Sequence, residues 1–519
     1  MTPIAADRLD RAIAGLPQAF PGPGGALAVL REGRVLARHA WGFANAERRI
    51  PFTPATLFRV CSITKQFTCA TVLEHFPDPA ALDGDVRRQL PRLEGAAPSA
   101  RQLMHNQSGL RDYWAVAMLH GAPAESPFGA PEAARVIAGT GTLQFRPGTR
   151  FSYVNQNFRI LSDVLEQRTG RGFAELLRGG ILARAGMTTA QLVADTEAMP
   201  DGTEGYEGTQ DGGFRPAENR ILWTGDAGLV ASLDDLIAWE RHLDATRDDA
   251  GALASRIAAP VAFLDGTPAW YGFGLARGRE FGRALAGHGG GLRGWRSHRL
   301  YVPAERLSVV VLFNHLADAQ AASRQLLAAA LGEVPDAPRR ELPPPPWLGT
   351  HRDPETGLAV RIALAEPGRV RLLYGHSAEL LDLCPDGSAG QERTRLRATP
   401  DGLVMERPAE NLATRLIAVA GTADPGGLAG TYRSAELDAE ILIADAGGTL
   451  FGGFSGFLGQ GRMEQLQPLG TDLWLLPCHR ALDYAPPGDW TLAFRRDASG
   501  RVGSVQVGCW LARGLVYHR

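Results

Sequence analysis

Lysine is almost missing from this chain. Lysine and arginine together number 54, and Lys65 is the only lysine among them. A GC-rich genome accounts for the bias, but the survivor stands out. A lysine amine can lose its proton when desolvated, whereas a guanidinium effectively cannot. Cysteine is scarce too: five residues, an odd number, widely spaced and without a Cys-x-x-Cys pair. That excludes a disulfide framework and a cysteine-rich zinc site. No apolar run approaches the roughly 18–20 residues needed to span a bilayer. There is no charge excess, since the net charge is -2, which argues against nucleic acid and against an anionic membrane surface as partners. The first 17 residues interrupt their apolar positions with Asp7, Arg8, Asp10 and Arg11, so they read as an amphipathic helix rather than a secretory leader. The expectation is a reduced, cytoplasmic protein. No phosphate loop or dinucleotide fingerprint is present, and the histidines lack ligand spacing, so no cofactor and no metal are expected.

At 519 residues the chain has room for about three domains. Residues 1–331 mix helical periodicity with short apolar strands. Ala26–Arg31 and Arg34–Trp41 flank Glu32-Gly33 and predict a hairpin. Thr64–Glu74, Phe158–Gly170, Leu233–Leu243 (capped by Ser232) and Ala319–Leu331 predict helices. Tyr271–Arg277, Arg283–Gly287, His298–Tyr301 and Ser308–Phe313 predict strands. Strands at both ends of the segment with helices between them imply an α+β sheet built from both ends. Residues 332–347, with four consecutive prolines, predict a semi-rigid linker. Beyond it helical patterns vanish. Alternating runs such as Arg369–Tyr374, Glu379–Leu383, Thr414–Val419, Glu440–Ile443, Asp472–Leu476 and Arg501–Gly508 predict antiparallel sheet or barrel. The length suits two small barrels, 348–425 and 426–519.

Three short motifs carry chemistry. Ser62-Ile-Thr-Lys65 lies where a short strand enters a helix. At that spacing Lys65 shares a face with Ser62 and can take its proton. The plain alternative is an N-cap serine beside a solvated lysine. Tyr153-Val-Asn155 precedes a helix. Tyr153 can relay protons, its pKa lowered by a nearby ammonium, and Asn155 can hold a substrate amide. His288-Gly-Gly-Gly291 ends a strand pattern, and the N–H groups about Gly290 and Gly291 can face an oxyanion.

Taken together and in this order, the motifs resemble the Ser-x-x-Lys, Ser/Tyr-x-Asn and Lys/His-x-Gly elements of the serine β-lactamases and penicillin-binding proteins. Leu103–Tyr113, Phe145–Asn155 and Gly225–Ser232 resemble supporting segments of the same group. Tyr153 and His288 point to its class C β-lactamase, D-alanyl-D-alanine carboxypeptidase and esterase branch. A penicillin-recognising domain followed by two antiparallel barrels is similar to the layout of the D-aminopeptidases. That resemblance implies Ser62, Lys65 and Tyr153 as catalytic residues, with Asn155, His288, Gly290 and Gly291 binding substrate. It further implies hydrolysis that releases an N-terminal D-residue from a small peptide or amide, and a homodimer. A β-lactamase or carboxylesterase, a D-Ala-D-Ala carboxypeptidase and a non-catalytic penicillin-binding sensor remain open. An aminopeptidase must pair the substrate's α-ammonium with a carboxylate, whereas a carboxypeptidase prefers a cation there, a part that Arg296, close to His288 in the chain, could partly fill. The loop Pro477–Asp489 is long for a hairpin. Either it is ordinary solvated surface, or it reaches the cleft and offers Asp483 to the ammonium.

Overall fold

The computed structural model describes residues 3–333, 342–484 and 486–519. Half of the linker, 334–341, therefore lies outside the described residues. Pro343–Pro345 run without regular structure into a turn at Pro346–Trp347.

Helix α1 (Pro3–Ala19) leads into β1 (Gly24–Arg31) and β2 (Arg34–Asn45). Glu32 and Gly33 both have positive φ, 52° and 69°, the backbone of a two-residue hairpin turn that matches strand twist. After the short β3 (Ile50–Pro51) come α2 (Thr64–His75), α3 (Tyr113–Leu119), α4 (Gln156–Thr169) and α5 (Leu233–Thr246). Then the chain returns to the sheet with β4 (Tyr271–Gly272), β5 (Leu275–Glu280), β6 (Arg283–Leu292), β7 (Trp295–Val302) and β8 (Leu307–Phe313), and ends this unit with α6 (Ala319–Leu331). The sheet order is β4-β5-β6-β7-β8-β1-β2-β3, so the two ends of the segment do form one sheet.

Strand alternation sorts β1 between two cores. Leu27 and Val29 join β8 and the packed helices α1 and α6 on one face. Ala26, Ala28 and Leu30 face the larger cluster that holds α2, α4 and α5. Buried on both faces, β1 and β8 read as continuous apolar runs. Helix α2 is buried from Thr64 to Leu73, because it lies between the sheet and the other helices. Capping follows chemistry: Ser232 and Asp235 exchange side-chain and backbone bonds at the start of α5, and Gly170 closes α4 in the left-handed region. The predicted strand Tyr271–Arg277 is broken at Phe273–Gly274, both at positive φ. A Cβ on Gly274 would lie 2.4 Å from the Lys65 carbonyl carbon, so the corner is shaped by close approach to α2.

The remaining chain is antiparallel sheet. Eight strands from Gly349–Arg352 to Leu412–Ala418 close into a barrel filled by residues such as Val360, Leu372, Leu396 and Met405. The second unit is a half-barrel. Its strands, from Gly430–Ser434 to Ala512–His518, form an open path. Glu464–Gln465 pairs with Thr449–Gly456, while Gln467–Gly470 pairs with Leu473–Leu476, so the sheet curls without hydrogen-bonded closure. The open side is occupied: Ala115 and Leu119 of α3 belong to the same buried cluster as Tyr432, Ile441, Trp490 and Leu515. None of the five cysteines is paired, and no described helix is long and apolar enough to cross a membrane.

Candidate active site

Ser62 sits in a 3-10 turn, Cys61–Ile63, that runs straight into α2. The preceding Cys61 has φ 51°, uncommon for a residue with a side chain. The turn is tied down by Ser297 Oγ donating to the Val60 carbonyl at 3.0 Å and by Thr64 Oγ1 donating to the Cys61 carbonyl at 2.6 Å. Ser62 does not cap the helix; the N-cap position is Ile63, with no side-chain cap. Nor is Lys65 solvated, since its relative exposure is 0%.

Lys65 Nζ donates to Ser62 Oγ at 2.9 Å, to Asn155 Oδ1 at 2.9 Å and to the Asp226 carbonyl at 2.8 Å. Burial pushes the amine down to about 8, against the opposing pull of the Asp226, Asp112 and Asp483 carboxylates. An ammonium is costly in this setting, so the amine is within reach of a general base near neutral pH.

Tyr153 lies with its ring centroid 5.0 Å from Lys65 Nζ. The expectation that a nearby ammonium lowers its pKa is not met. Burial raises the phenol well above its ordinary value, and a hydrogen bond with Ser62 only partly offsets this. Lys65 and Tyr153 are pushed apart, the amine toward neutrality and the phenol toward keeping its proton.

Asn155 is held between the base and a buried carboxylate. Its Oδ1 faces Lys65, while its Nδ2 and backbone N–H both donate to Asp112 Oδ2, at 3.0 and 2.6 Å. That placement makes it a strut for Lys65. Burial raises Asp112 to about 7, opposed by hydrogen bonds from Asn155 and Trp114. Tyr113 donates to Asp226 Oδ2 at 2.5 Å, which orients the residue whose carbonyl receives Lys65.

On the opposite wall, β6 carries His288, Gly290 and Gly291. His288 is buried, with Nδ1 2.5 Å from the Gly289 carbonyl and Nε2 3.0 Å from the Tyr271 hydroxyl. The carbonyl requires the proton on Nδ1, so Nε2 accepts from Tyr271. Burial holds the imidazole down to about 3, so it is neutral and supplies no cation for a carboxylate. A Cβ on Gly290 would lie 2.2 Å from the Val60 carbonyl oxygen and 3.0 Å from Cys61 Cβ. Crowding there falls on the turn that carries Ser62, not on the edge a substrate approaches.

Gly291 faces the loop. A Cβ on Gly291 would lie 2.4 Å from Tyr484 Cε1. Arg296 stacks its guanidinium 3.6 Å from the Tyr484 ring centroid and donates to the Leu292 and Trp295 carbonyls, which takes it out of the role of a free cation in the cleft. Leu482 is fully buried in the core of the first unit. Arg293 donates its backbone N–H to the Asp483 carbonyl at 3.3 Å and Nη2 to the Ala481 carbonyl at 2.6 Å. Arg480 pairs with Glu125 and, at 3.4 Å, with Glu207. Asp483 is close enough to raise the pKa of both Lys65 and Asp112.

Asp112, Tyr113, Asp226, Arg293 and Tyr484 were not singled out by the sequence for these positions. Asp112 and Asp226 carried a signal: each is a lone carboxylate in a stretch otherwise destined for burial. Among the described residues no cluster of three or more His, Cys, Asp or Glu suits a metal ion.

Two family models match successive parts of the chain. Residues 9–333 match the β-lactamase family model, and residues 341–518 match the model for domain B of D-aminopeptidase. Over 520 residues the chain is 59% identical to a D-aminopeptidase of Gluconobacter oxydans, covering 99% of this chain and 98% of the relative. It is 45% identical to one of Brucella canis, covering 98% of each. Among solved structures, an octameric penicillin-binding protein homologue from Pyrococcus abyssi superposes with a TM-score of 0.54 at 20% identity, over 86% of this chain and 97% of the other. A D-amino acid amidase from Ochrobactrum anthropi gives 0.51 at 20% identity, over 64% and 99%. Those two likenesses are of fold.

Proposed function

Because the chain belongs to the D-aminopeptidases, a family of β-lactamase-like serine hydrolases, we propose that it releases an N-terminal D-amino acid from small peptides, amides or esters through an acyl-enzyme on Ser62. Neutral Lys65 takes the Ser62 proton as Oγ attacks the carbonyl carbon. The backbone N–H groups of Ser62 and Gly291 receive the oxyanion. Tyr153 gives its proton to the departing amine as the C–N bond breaks, and regains one from the Lys65 ammonium. Water then adds to the ester with the same pair working in reverse, and the free D-residue leaves.

The observation that carries the aminopeptidase reading, over a β-lactamase on the same scaffold, is the seating of Tyr484 against Gly291 with Asp483 in electrostatic reach of Lys65. Asp483 pairs with the substrate's α-ammonium, and the loop leaves room for one residue on that side of the scissile bond. Neutral His288 and engaged Arg296 leave a substrate carboxylate without a cation. The reading takes 1–331 as catalytic, and 348–425 and 426–519 as two β units. It also carries the homodimer, which sedimentation velocity tests.

The decisive assay compares p-nitroaniline release from D-Ala- and L-Ala-p-nitroanilide with nitrocefin hydrolysis. Turnover of the D-substrate alone, with one acyl group trapped on the peptide containing Ser62, supports the reading. Efficient nitrocefin turnover without D-Ala release overturns it.

A further inference from the structure

Two of the three acceptors of Lys65 are positioned by one tripeptide, Arg111-Asp112-Tyr113. The Asp112 carboxylate fixes Asn155. The Tyr113 hydroxyl fixes Asp226. Gln156 ties the tripeptide to the next helix, accepting from the Tyr113 N–H at 2.9 Å and donating to the Arg111 carbonyl. The half-barrel grips two of the three, Arg111 and Asp112, from the other side. The Asp112 N–H donates to the Leu511 carbonyl at 2.9 Å, and Arg111 Nε donates to the Arg513 carbonyl at 2.8 Å. Arg111 Nη1 donates to Glu436 Oε1 at 2.9 Å, and Glu436 also accepts from the Thr142 N–H and hydroxyl, at 3.0 and 2.8 Å. Arg111 is 7% exposed and Glu436 22%, so the pair is shielded and each depends on the other. From here α3 runs into the half-barrel core through Ala115 and Leu119.

We infer that Glu436 and Arg111 are positioning residues for the nucleophile's base: the half-barrel holds Arg111-Asp112-Tyr113 in place, and through Asn155 and Asp226 it aims the Lys65 amine at Ser62. The contact is separate from the loop around Asp483 and acts on nucleophile activation, not on recognition of the α-ammonium. The inference rests on the assignment of Ser62 and Lys65 above.

The test is the rate at which an alkyl fluorophosphonate labels Ser62 in the full-length chain. Labelling forms the Oγ–P bond, expels fluoride and passes the serine proton to Lys65; it requires neither a D-residue nor a free amine. Glu436→Gln should slow labelling about tenfold, and lower kcat for D-Ala-p-nitroanilide with KM changed less than twofold. In the Asn155→Ala/Tyr113→Phe background, where both connections to the Lys65 acceptors are cut, the same substitution should cost less than threefold, the non-additivity expected of coupled residues. An equal fall in both backgrounds, or none in either, overturns the inference. If Glu436→Gln fails to fold, Glu436→Asp, which keeps the charge and withdraws the carboxylate by one methylene, carries the same cycle. A wild-type chain that labels at Ser62 yet leaves D-Ala-p-nitroanilide intact would overturn the aminopeptidase reading and leave this inference standing.

Discussion

The two β units arise from the same kind of sequence, short alternating runs parted by glycine turns, yet they relate to the first unit in opposite ways. The barrel closes on itself around its own buried cluster, with Leu364, Leu380 and Ile417 left outside. It meets the first unit at its rim, through Asn411 bonded to the Thr149 carbonyl and Asp265, and Arg150 paired with Glu355. The half-barrel leaves one side open, takes in α3, and sends Leu482 into the core of the first unit and Tyr484 against Gly291 of β6. Closure removes sheet edges and makes a self-sufficient prop. An open sheet must find something to cover it, and here the cover is α3, the helix capped by Asp112. On this account the barrel contributes stability and the half-barrel contributes chemistry.

The scale is set by the nucleophile. Ser62→Ala should lower kcat by roughly three to six orders of magnitude with the fold retained, as when a nucleophile is deleted elsewhere; circular dichroism alongside steady-state kinetics checks it. Next in size, deletion of residues 477–484 should lower D-aminopeptidase kcat/KM by roughly a hundredfold, through lost positioning, and raise acylation by a fluorescent penicillin. Unchanged values for both would reduce the half-barrel to a prop like the barrel.

A smaller effect separates the units through pH. On the proposed mechanism Lys65 acts as its neutral amine, so kcat/KM should climb on an alkaline-going limb with a midpoint at about 8, and Lys65→Arg should abolish the limb along with activity. The Asp483 carboxylate raises the Lys65 pKa, so Asp483→Asn should move that limb to lower pH, while barrel substitutions leave it in place. The smallest change belongs to the barrel. Asn411→Ala should cost about 1 kcal/mol of stability through lost hydrogen bonds, with kcat/KM within about twofold of wild type. A large kinetic loss there would break the division.

Much of this was legible in the chain. A sole lysine three residues from a serine, a tyrosine before a helix and glycines on a strand are local patterns, and local geometry carries them into the structure. The parts of Asp112, which holds the strut Asn155, and of Tyr113, which orients Asp226, are not local: they depend on contacts 43 and 113 residues away. The break at Phe273–Gly274 depends on α2, which no strand periodicity reports. Alternation at 348–519 predicts strands but not whether they close, because closure is set by pairing between distant strands and by α3. The Tyr153 phenol departs from the motif's expectation because charge proximity is visible in the spacing, whereas the depth of burial that raises it is not.

The central claim is that the half-barrel supplies the carboxylate that recognises a free amino terminus. Its most direct test compares kcat/KM for D-Ala-p-nitroanilide and N-acetyl-D-Ala-p-nitroanilide in the wild type and in Asp483→Asn. The account predicts strong wild-type preference for the free amine and a collapse of that preference, by about tenfold or more, in the variant, consistent with loss of a charge-assisted contact in a shielded site. A preference that survives intact in a folded Asp483→Asn chain would contradict it.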